Sequence, residues 1–308
     1  MNSSSFFAKI LLFGEYGIIK NSKGISIPFN NYSGSLKIDK SSNENTKLSN
    51  KQIKSFYDFL KLKFDKDEFN FKTFKSDIDD GLYFKSSIPL GYGVGSSGAL
   101  VAAIYDKYFL NKIKREKKID TENIIVLKNI FSKMESFLHG ESSGLDPVNS
   151  YLSSPILIKS KNDIETTSIP KQIKNGNKGF FLLDSGVSSN TRMLVNKFLE
   201  SIKNNEFEQL FQNEFIEFTN LCIEDFLNSK FNSLQKNIKK LSKFTHDNFK
   251  DMIPKKFDSI WSKGLNSDDY FLKLCGSGGG GFILGFSSNM AKSQELLKDY
   301  NFKVVLTY

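Results

Sequence analysis

Histidine, cysteine and arginine are nearly absent from this chain: His139, His246, Cys222, Cys275, Arg115 and Arg192 are all it has of them. Two cysteines and two histidines cannot furnish a zinc site of the usual spacing or a disulfide framework, so a reduced, cytoplasmic setting is expected. No apolar run approaches the ~18–20 residues that a membrane span needs. The start, MNSSSFFAKILLFGEY, has no basic n-region and is interrupted by Lys9 and Glu15, which argues against a signal peptide. The net charge of +9 invites a nucleic-acid partner, but the 43 basic residues are interspersed with 34 acidic ones. The cluster of Lys112, Lys114, Arg115, Lys117 and Lys118 reads as a solvated helix end. Neither a nucleic-acid nor a membrane partner is expected.

What is present is enough for packed cores. The chain is 39% hydrophobic and 14% aromatic over 308 residues, about two domains' worth of length. Phe6–Phe13, Tyr16–Lys20 and Ile25–Pro28 read as short strands broken by Gly14, Gly17 and Gly24. Asp39–Asn50 reads as an exposed polar loop, followed by a helix over Gln52–Leu62. Leu82–Ser87 reads as a strand, and after a glycine-punctuated turn a helix is predicted over Ala99–Leu110. Apolar spacing predicts a helix over Glu122–Leu138. Pro155–Lys159 and Gly179–Ser185 read as strands, and the lysine-rich segment between them as an inter-domain connection. Phe207, Leu210, Phe211, Phe215, Phe218, Leu221, Cys222 and Phe226 trace one long helical stripe. Strands at Tyr270–Cys275 and Gly281–Phe286 flank a glycine run, and a last helix and strand close the chain. The class is α+β, cut into 1–175 and 176–308.

Four segments could carry chemistry. Gly91-Tyr-Gly-Val-Gly-Ser-Ser-Gly-Ala99 stands before a helix, where glycines admit an anion to backbone amides and the helix start presents unpaired N–H groups. It satisfies GxGxxG at Gly93–Gly98, but it lies far from the N-terminus with no clean βαβ unit behind it, and the lysine of a Walker loop is missing. Gly276-Ser-Gly-Gly-Gly-Gly281 is either a flexible hairpin loop or a second backbone wall against a phosphate. In His139-Gly-Glu-Ser-Ser-Gly-Leu-Asp146 the aspartate could be a general base or a helix cap. Glu135, earlier on the preceding helix, could bind a metal ion. Lys9 lies in the first strand, where a lysine ordinarily marks the solvated face.

Together, in order and wording, these segments resemble one family. Phe7-Ala-Lys-Ile-Leu-Leu-Phe-Gly-Glu-Tyr-Gly17 resembles the first motif of the GHMP kinases. Ile88-Pro-Leu-Gly-Tyr-Gly-Val-Gly-Ser-Ser-Gly-Ala99 resembles the second, and Lys273-Leu-Cys-Gly-Ser-Gly-Gly-Gly-Gly281 the third. Within that family, His139–Pro147 is similar to the HGxPSGxDN segment of mevalonate kinases, and Asp184–Arg192 to their stretch ending in NT(K/R). Tyr16 stands in place of the usual His, Ser142 in place of Pro, and Pro147 in place of Asn. Gly-Glu-Tyr and Ser96-Ser-Gly98 resemble phosphomevalonate kinases instead, which leaves that substrate open, along with homoserine and sugars.

The resemblance implies a ribosomal-protein-S5-like N-terminal domain and a ferredoxin-like C-terminal domain, with ATP and substrate meeting in the cleft. It implies phosphoryl transfer from ATP, with Mg²⁺, to an alcohol, the 5-hydroxyl of mevalonate first among the candidates. Asp146 would accept the hydroxyl proton beside Lys9. Gly91, Gly93, Gly95, Ser96, Ser97, Gly98, Ala99, Gly278 and Gly279 would hold the nucleotide, and Ser97 and Glu135 the Mg²⁺. Glu15, Tyr16, Arg192, Gly276 and Ser277 would contact substrate. A homodimer is among the assemblies allowed. The reading from another class is a GHMP-fold binding module without catalysis.

Overall fold

The computed structural model describes residues 4–40, 43–115, 119–140 and 142–308. Lys117 and Lys118 of the basic cluster, Glu141, and the first residues of the chain lie outside the described residues.

In chain order the elements are β1 Phe6–Phe13, β2 Gly24–Ile38, α1 Glu44–Leu60, α2 Phe71–Asp79, β3 Leu82–Ser86, α3 Ser96–Tyr108, α4 Thr121–His139 and α5 Leu145–Leu152. Then come β4 Ile156–Ser160, β5 Asp163–Thr166, β6 Gly179–Asp184, α6 Thr191–Ser201, α7 Asn205–Leu210, α8 Glu217–Leu227 and α9 Phe231–Asn248. The chain ends with α10 Lys255–Ser267, β7 Tyr270–Leu274, β8 Phe282–Ser287, α11 Met290–Leu296 and β9 Lys303–Thr307. The class is α+β, as expected.

The chain gathers into two compact units that interleave in sequence, where the sequence reading placed a single cut after residue 175. The first comprises residues 1–9, 27–89 and 95–154; the second comprises 10–26, 90–94 and 155–308. In the first, the later half of β2 pairs antiparallel with β3, from Gly34 opposite Ser86 to Ile38 opposite Leu82. Helices α3, α4 and α5 pack on one another there. Its aromatic centre is built from Tyr57, Phe69, Phe74 and Tyr108, with Phe74 and Tyr108 stacked at 4.2 Å. In the second unit, β7, β8, β6 and β9 form an antiparallel sheet in that order. Every residue of β7 and β8 is buried, and α9 and α10 cover β7.

Several expected elements differ. The segment 16–20 is no strand: Gly14 at φ +117° and Tyr16 at φ +58° turn the chain, and Gly17–Lys20 forms a short 3₁₀ helix. Gly24 then meets the Ile18 side chain so closely that a Cβ would collide with it, and β2 runs much longer than Ile25–Pro28. The polar stretch after Asp39 is largely helical, because Asn43 caps α1 by accepting from the Thr46 N–H at 3.0 Å. The lysine-rich connection contains β5, which pairs with β4 in the second unit. The Phe-rich stripe runs as α7, a π-type turn at Phe211–Ile216 and α8, with Phe211 and Phe215 stacked at 4.7 Å.

Candidate active site

In the first unit the decisive residue is Lys9. On an alternating strand it would face water, yet β1 buries nearly every position, and the Lys9 side chain is only 7% exposed. A buried ammonium needs a partner. It has one in Asp146, whose Oδ1 lies 3.0 Å from Lys9 Nζ. Asp146 sits in the first turn of α5, where the helix dipole favours a carboxylate. It is no cap: the cap position belongs to Gly144, at φ +71°.

Two glycines of the second glycine-rich segment hold this pair in place. Gly95, at φ +79°, lets the Lys9 side chain cross so closely that a Cβ would stand 2.9 Å from Lys9 Cγ and 3.8 Å from Asp146 Oδ2. Gly98, inside α3, faces the backbone of α5 itself. Gly95 is also the N-cap of α3 and has no side chain with which to cap it. The start of α3 therefore presents backbone donors, the Ser96 and Gly98 N–H groups among them, beside the ion pair. The Ala99 N–H is returned to the Gly95 carbonyl at 3.0 Å, so Ala99 belongs to the helix ladder and donates to no phosphate.

Ser97 donates to Glu135 Oε1 at 2.9 Å, and the Ser142 hydroxyl donates to Glu135 Oε2. Glu135, on α4, is 4% exposed. Burial first, and then the charge of Asp146, push its carboxyl up to about 7, against the opposing pull of the two serine hydroxyls and Lys9. Two carboxylates and one ammonium share this corner, so a divalent cation would relieve the excess negative charge. The hard oxygen donors of Ser97 and Glu135 suit Mg²⁺. Among the described residues no group of three or more His, Cys, Asp and Glu could hold a metal ion. Such an ion would take its remaining ligands from phosphate and water.

Sequence reasoning missed the role of Ser142. Besides holding Glu135, its hydroxyl accepts from the Gly144 N–H at 3.1 Å, and its carbonyl accepts from Ser132 at 2.6 Å. The signal was Ser142 itself, standing where the similar mevalonate kinase segment has proline.

In the second unit the two glycine segments touch. Gly93 at φ +73° leaves room for the Cys275 carbonyl and Gly276, and Gly281 at φ +65° for the Tyr92 backbone. The Ser189 N–H donates to the Gly91 carbonyl at 3.0 Å. The 276–281 run is a tied loop rather than a loose hairpin: Gly279 and Gly281 donate to the Met252 and Val187 carbonyls, each at 2.6 Å. Gly279 thus has no N–H left for a nucleotide. Ser277 reaches Thr191 Oγ1 at 3.2 Å, next to Arg192, which is exposed in the first turn of α6.

Glu15 and Tyr16 face inward. Glu15 is ion-paired with Lys273 and both are buried, while the Tyr16 hydroxyl donates to the Ser277 carbonyl at 2.6 Å. Glu15 Oε1 and the Tyr16 hydroxyl proton, both expected at a substrate, are engaged by the protein itself. Lys112 and Arg115 share Asp106, and Arg115 stacks over Phe6 and Tyr151 at 4.2 and 4.6 Å. The two residues lie in the loop between α3 and α4, where a helix end was expected, and their charges are engaged by Asp106. Among the described residues no helix is long and apolar enough to cross a membrane.

No family model matches the sequence, and no curated protein does either. Solved structures match it over nearly its whole length. A mevalonate kinase from L. major, in complex with R-mevalonate, is 15% identical with a TM-score of 0.66, covering 100% of this chain and 96% of its own. A phosphomevalonate kinase from Streptococcus pneumoniae, in complex with phosphomevalonate and AMPPNP, is 14% identical with a TM-score of 0.65, covering 99% and 98%. A galactokinase from Lactococcus lactis, complexed with galactose, is 13% identical with a TM-score of 0.62, covering 99% and 94%. What these proteins share with the chain is its two-domain α+β architecture, the fold of the GHMP kinases.

Proposed function

We propose that this protein is an ATP-dependent small-molecule kinase that phosphorylates the 5-hydroxyl of mevalonate. The observation that carries the reading is the Lys9–Asp146 pair, 3.0 Å apart and held against Gly95 and Gly98 at the mouth of the α3 helix. A proton acceptor beside a set of phosphate-binding amides is what transfer to an alcohol needs.

In this mechanism Asp146 takes the proton of the attacking hydroxyl. Lys9 keeps that carboxylate ionised and lowers the pKa of the alcohol. The α3 amides and the glycine loop hold the phosphates in line, in place of a Walker lysine. Ser97 and Glu135 would hold Mg²⁺, which would supply positive charge against the phosphates. Arg192, Gly276 and Ser277 are assigned to substrate; a guanidinium suits the carboxylate of mevalonate. In terms of the two units, the first would carry the catalytic pair and the start of α3, and the second residues 90–94 and the third motif.

Mevalonate is favoured over its phosphorylated product by the HG…SG-Leu-Asp146 wording. A site for phosphomevalonate needs further cations for a second dianion, and Lys9 is already committed to Asp146. The test is a coupled ADP-release assay with mevalonate, 5-phosphomevalonate, homoserine and galactose. Mevalonate is expected to exceed phosphomevalonate in kcat/KM by at least ~10²-fold, the discrimination that ~3 kcal/mol provides. Preference for phosphomevalonate overturns the choice of acceptor. Turnover of none of the four favours a binding module.

A further inference from the structure

Within the second unit, the turn that follows β1 is fastened at two points, one at the end of β7 and one on the loop between β7 and β8. Lys273 Nζ is ion-paired with Glu15, the two side chains 5% and 4% exposed, and also donates to the Leu274 carbonyl at 3.0 Å. Compared with well-packed apolar residues, a buried ion pair adds little net stability; what it supplies is fixed geometry. The second tie is the Tyr16 hydroxyl on the Ser277 carbonyl, 2.6 Å away. Tyr16 is held for this role in a left-handed conformation, φ +58°, that tyrosine rarely adopts. Its ring packs against Phe198 and Phe249 at 4.7 and 5.6 Å. Burial, aided by the charge of Glu15, raises the phenol well above its ordinary value, so it stays a proton donor.

The Gly279 and Gly281 N–H bonds tie the later part of the loop to Met252 and Val187, and among the described residues the Ser277–Gly278 peptide has no such tie apart from Tyr16. Gly276, Gly278, Gly279 and Gly281 all lie at positive φ, between +65° and +74°, and glycine peptide planes reorient easily. In a planar trans peptide the carbonyl and the following N–H point in opposite directions. Anchoring the Ser277 carbonyl on Tyr16 therefore turns the Gly278 N–H away from Tyr16. Among the described residues that N–H has no hydrogen-bond acceptor. Were this plane to flip, a carbonyl would replace the donor and repel an anion.

We propose that Tyr16 and the Lys273–Glu15 pair are positioning residues that lock the 276–281 loop so that the Gly278 N–H is presented to a phosphate group of the nucleotide. The phosphate half rests on the kinase reading; the lock does not.

Tyr16→Phe removes the hydroxyl and keeps the packed ring. In the protein without ligands, the hydrogen-bonded Gly279 and Gly281 amides are expected to exchange about tenfold faster, the loss of roughly one hydrogen bond. Amides of α9 should be unchanged. In the kinase assay the KM for ATP should rise by a similar factor, with the acceptor KM unchanged and kcat within about threefold, a split that general destabilisation does not produce. The double variant Glu15→Gln/Lys273→Met, which leaves no lone buried charge, should loosen the same two amides. Unchanged loop exchange in both variants overturns the lock. Faster exchange with an unaltered ATP KM overturns the presentation of Gly278, and a raised ATP KM without faster exchange shows direct ligand contact by Tyr16 and overturns positioning. If the unsubstituted protein uses no ATP with any acceptor, the kinase reading and the phosphate half fall together, and the exchange result alone decides the lock.

Discussion

Gly98 and Asp146 are in backbone contact: a Cβ built on Gly98 would stand 2.7 Å from the Asp146 carbonyl carbon and 2.8 Å from Pro147 N. The second glycine-rich motif and the aspartate segment, some fifty residues apart in the chain, are thus one packed surface. Gly98→Ala should gain up to about 1 kcal/mol in helix propensity and lose more, because the clash is with backbone and no side chain can swing aside. Net destabilisation of about 1–3 kcal/mol is expected from overpacking. Urea denaturation measures it, and a Gly98→Ala protein as stable as the original would show that α3 and α5 are not in this contact.

Asp146→Asn keeps the shape of the side chain and removes its basicity. The expected loss in kcat is on the order of 10²–10⁴, the range for a general base, with the KM for ATP nearly unchanged. Stability should fall by less than about 2 kcal/mol, because Asp146 is 39% exposed and water reaches the ammonium left behind. Steady-state kinetics with the accepted substrate decide the point. Near-normal kcat would leave Asp146 as a counter-ion for Lys9 and nothing more.

The motifs were legible because glycine, helix-start and carboxylate chemistry leave local marks. The resemblance to GHMP kinases is what pairs Ser97 with Glu135, and Lys9 with Asp146, by role, and the structure brings each pair together. What local patterning hides is what a side chain meets across the fold. Strand alternation puts Lys9 outside, but the burial of β1 turns it inward. Glu15 and Tyr16 looked free for substrate, since nothing near them in sequence announces Lys273 or the Ser277 carbonyl as their partners. The helix expected over Gln52–Leu62 starts earlier than its pattern shows: Ile53, Phe56, Tyr57 and Leu60 set the buried face of α1, while its first turns, read as loop, carry few apolar residues to show the period.

Ser142 serves three groups at once, and Ser143 next to it offers a matched control. Ser142→Ala leaves Glu135 Oε2 and the Gly144 N–H short of a partner, which should cost about 1–3 kcal/mol. Ser143 is exposed, with its hydroxyl 3.4 Å from the Leu145 N–H, so Ser143→Ala should stay within about 0.5 kcal/mol of the parent. Ser142→Ala should also raise the Mg²⁺ concentration needed for half-maximal activity, because Glu135 then keeps only the Ser97 tie. Equal denaturation midpoints for the two variants would remove Ser142 from the support of Glu135.

Glu135 gives the protein without ligands a stability that falls as pH rises. Its carboxyl titrates at about 7 when folded against an ordinary value of 4.5, so between those limits the folded state binds the extra proton. Stability from this group is full below 4.5 and is lost as pH climbs through 7. The gap, at 1.36 kcal/mol per unit, corresponds to roughly 3 kcal/mol. Glu135→Gln does not titrate. Its stability relative to the parent should therefore climb by up to ~3 kcal/mol between pH 5 and pH 8 and level off above that. Added Mg²⁺ and ATP should narrow the difference at pH 8, since a cation stabilises the ionised carboxylate and has less hold on the amide. Urea denaturation of both proteins at pH 5, 6, 7 and 8 supplies the curve. A difference that stays flat across that range would mean that Glu135 is ionised throughout, and that Ser97, Ser142 and Lys9 outweigh its burial and the charge of Asp146.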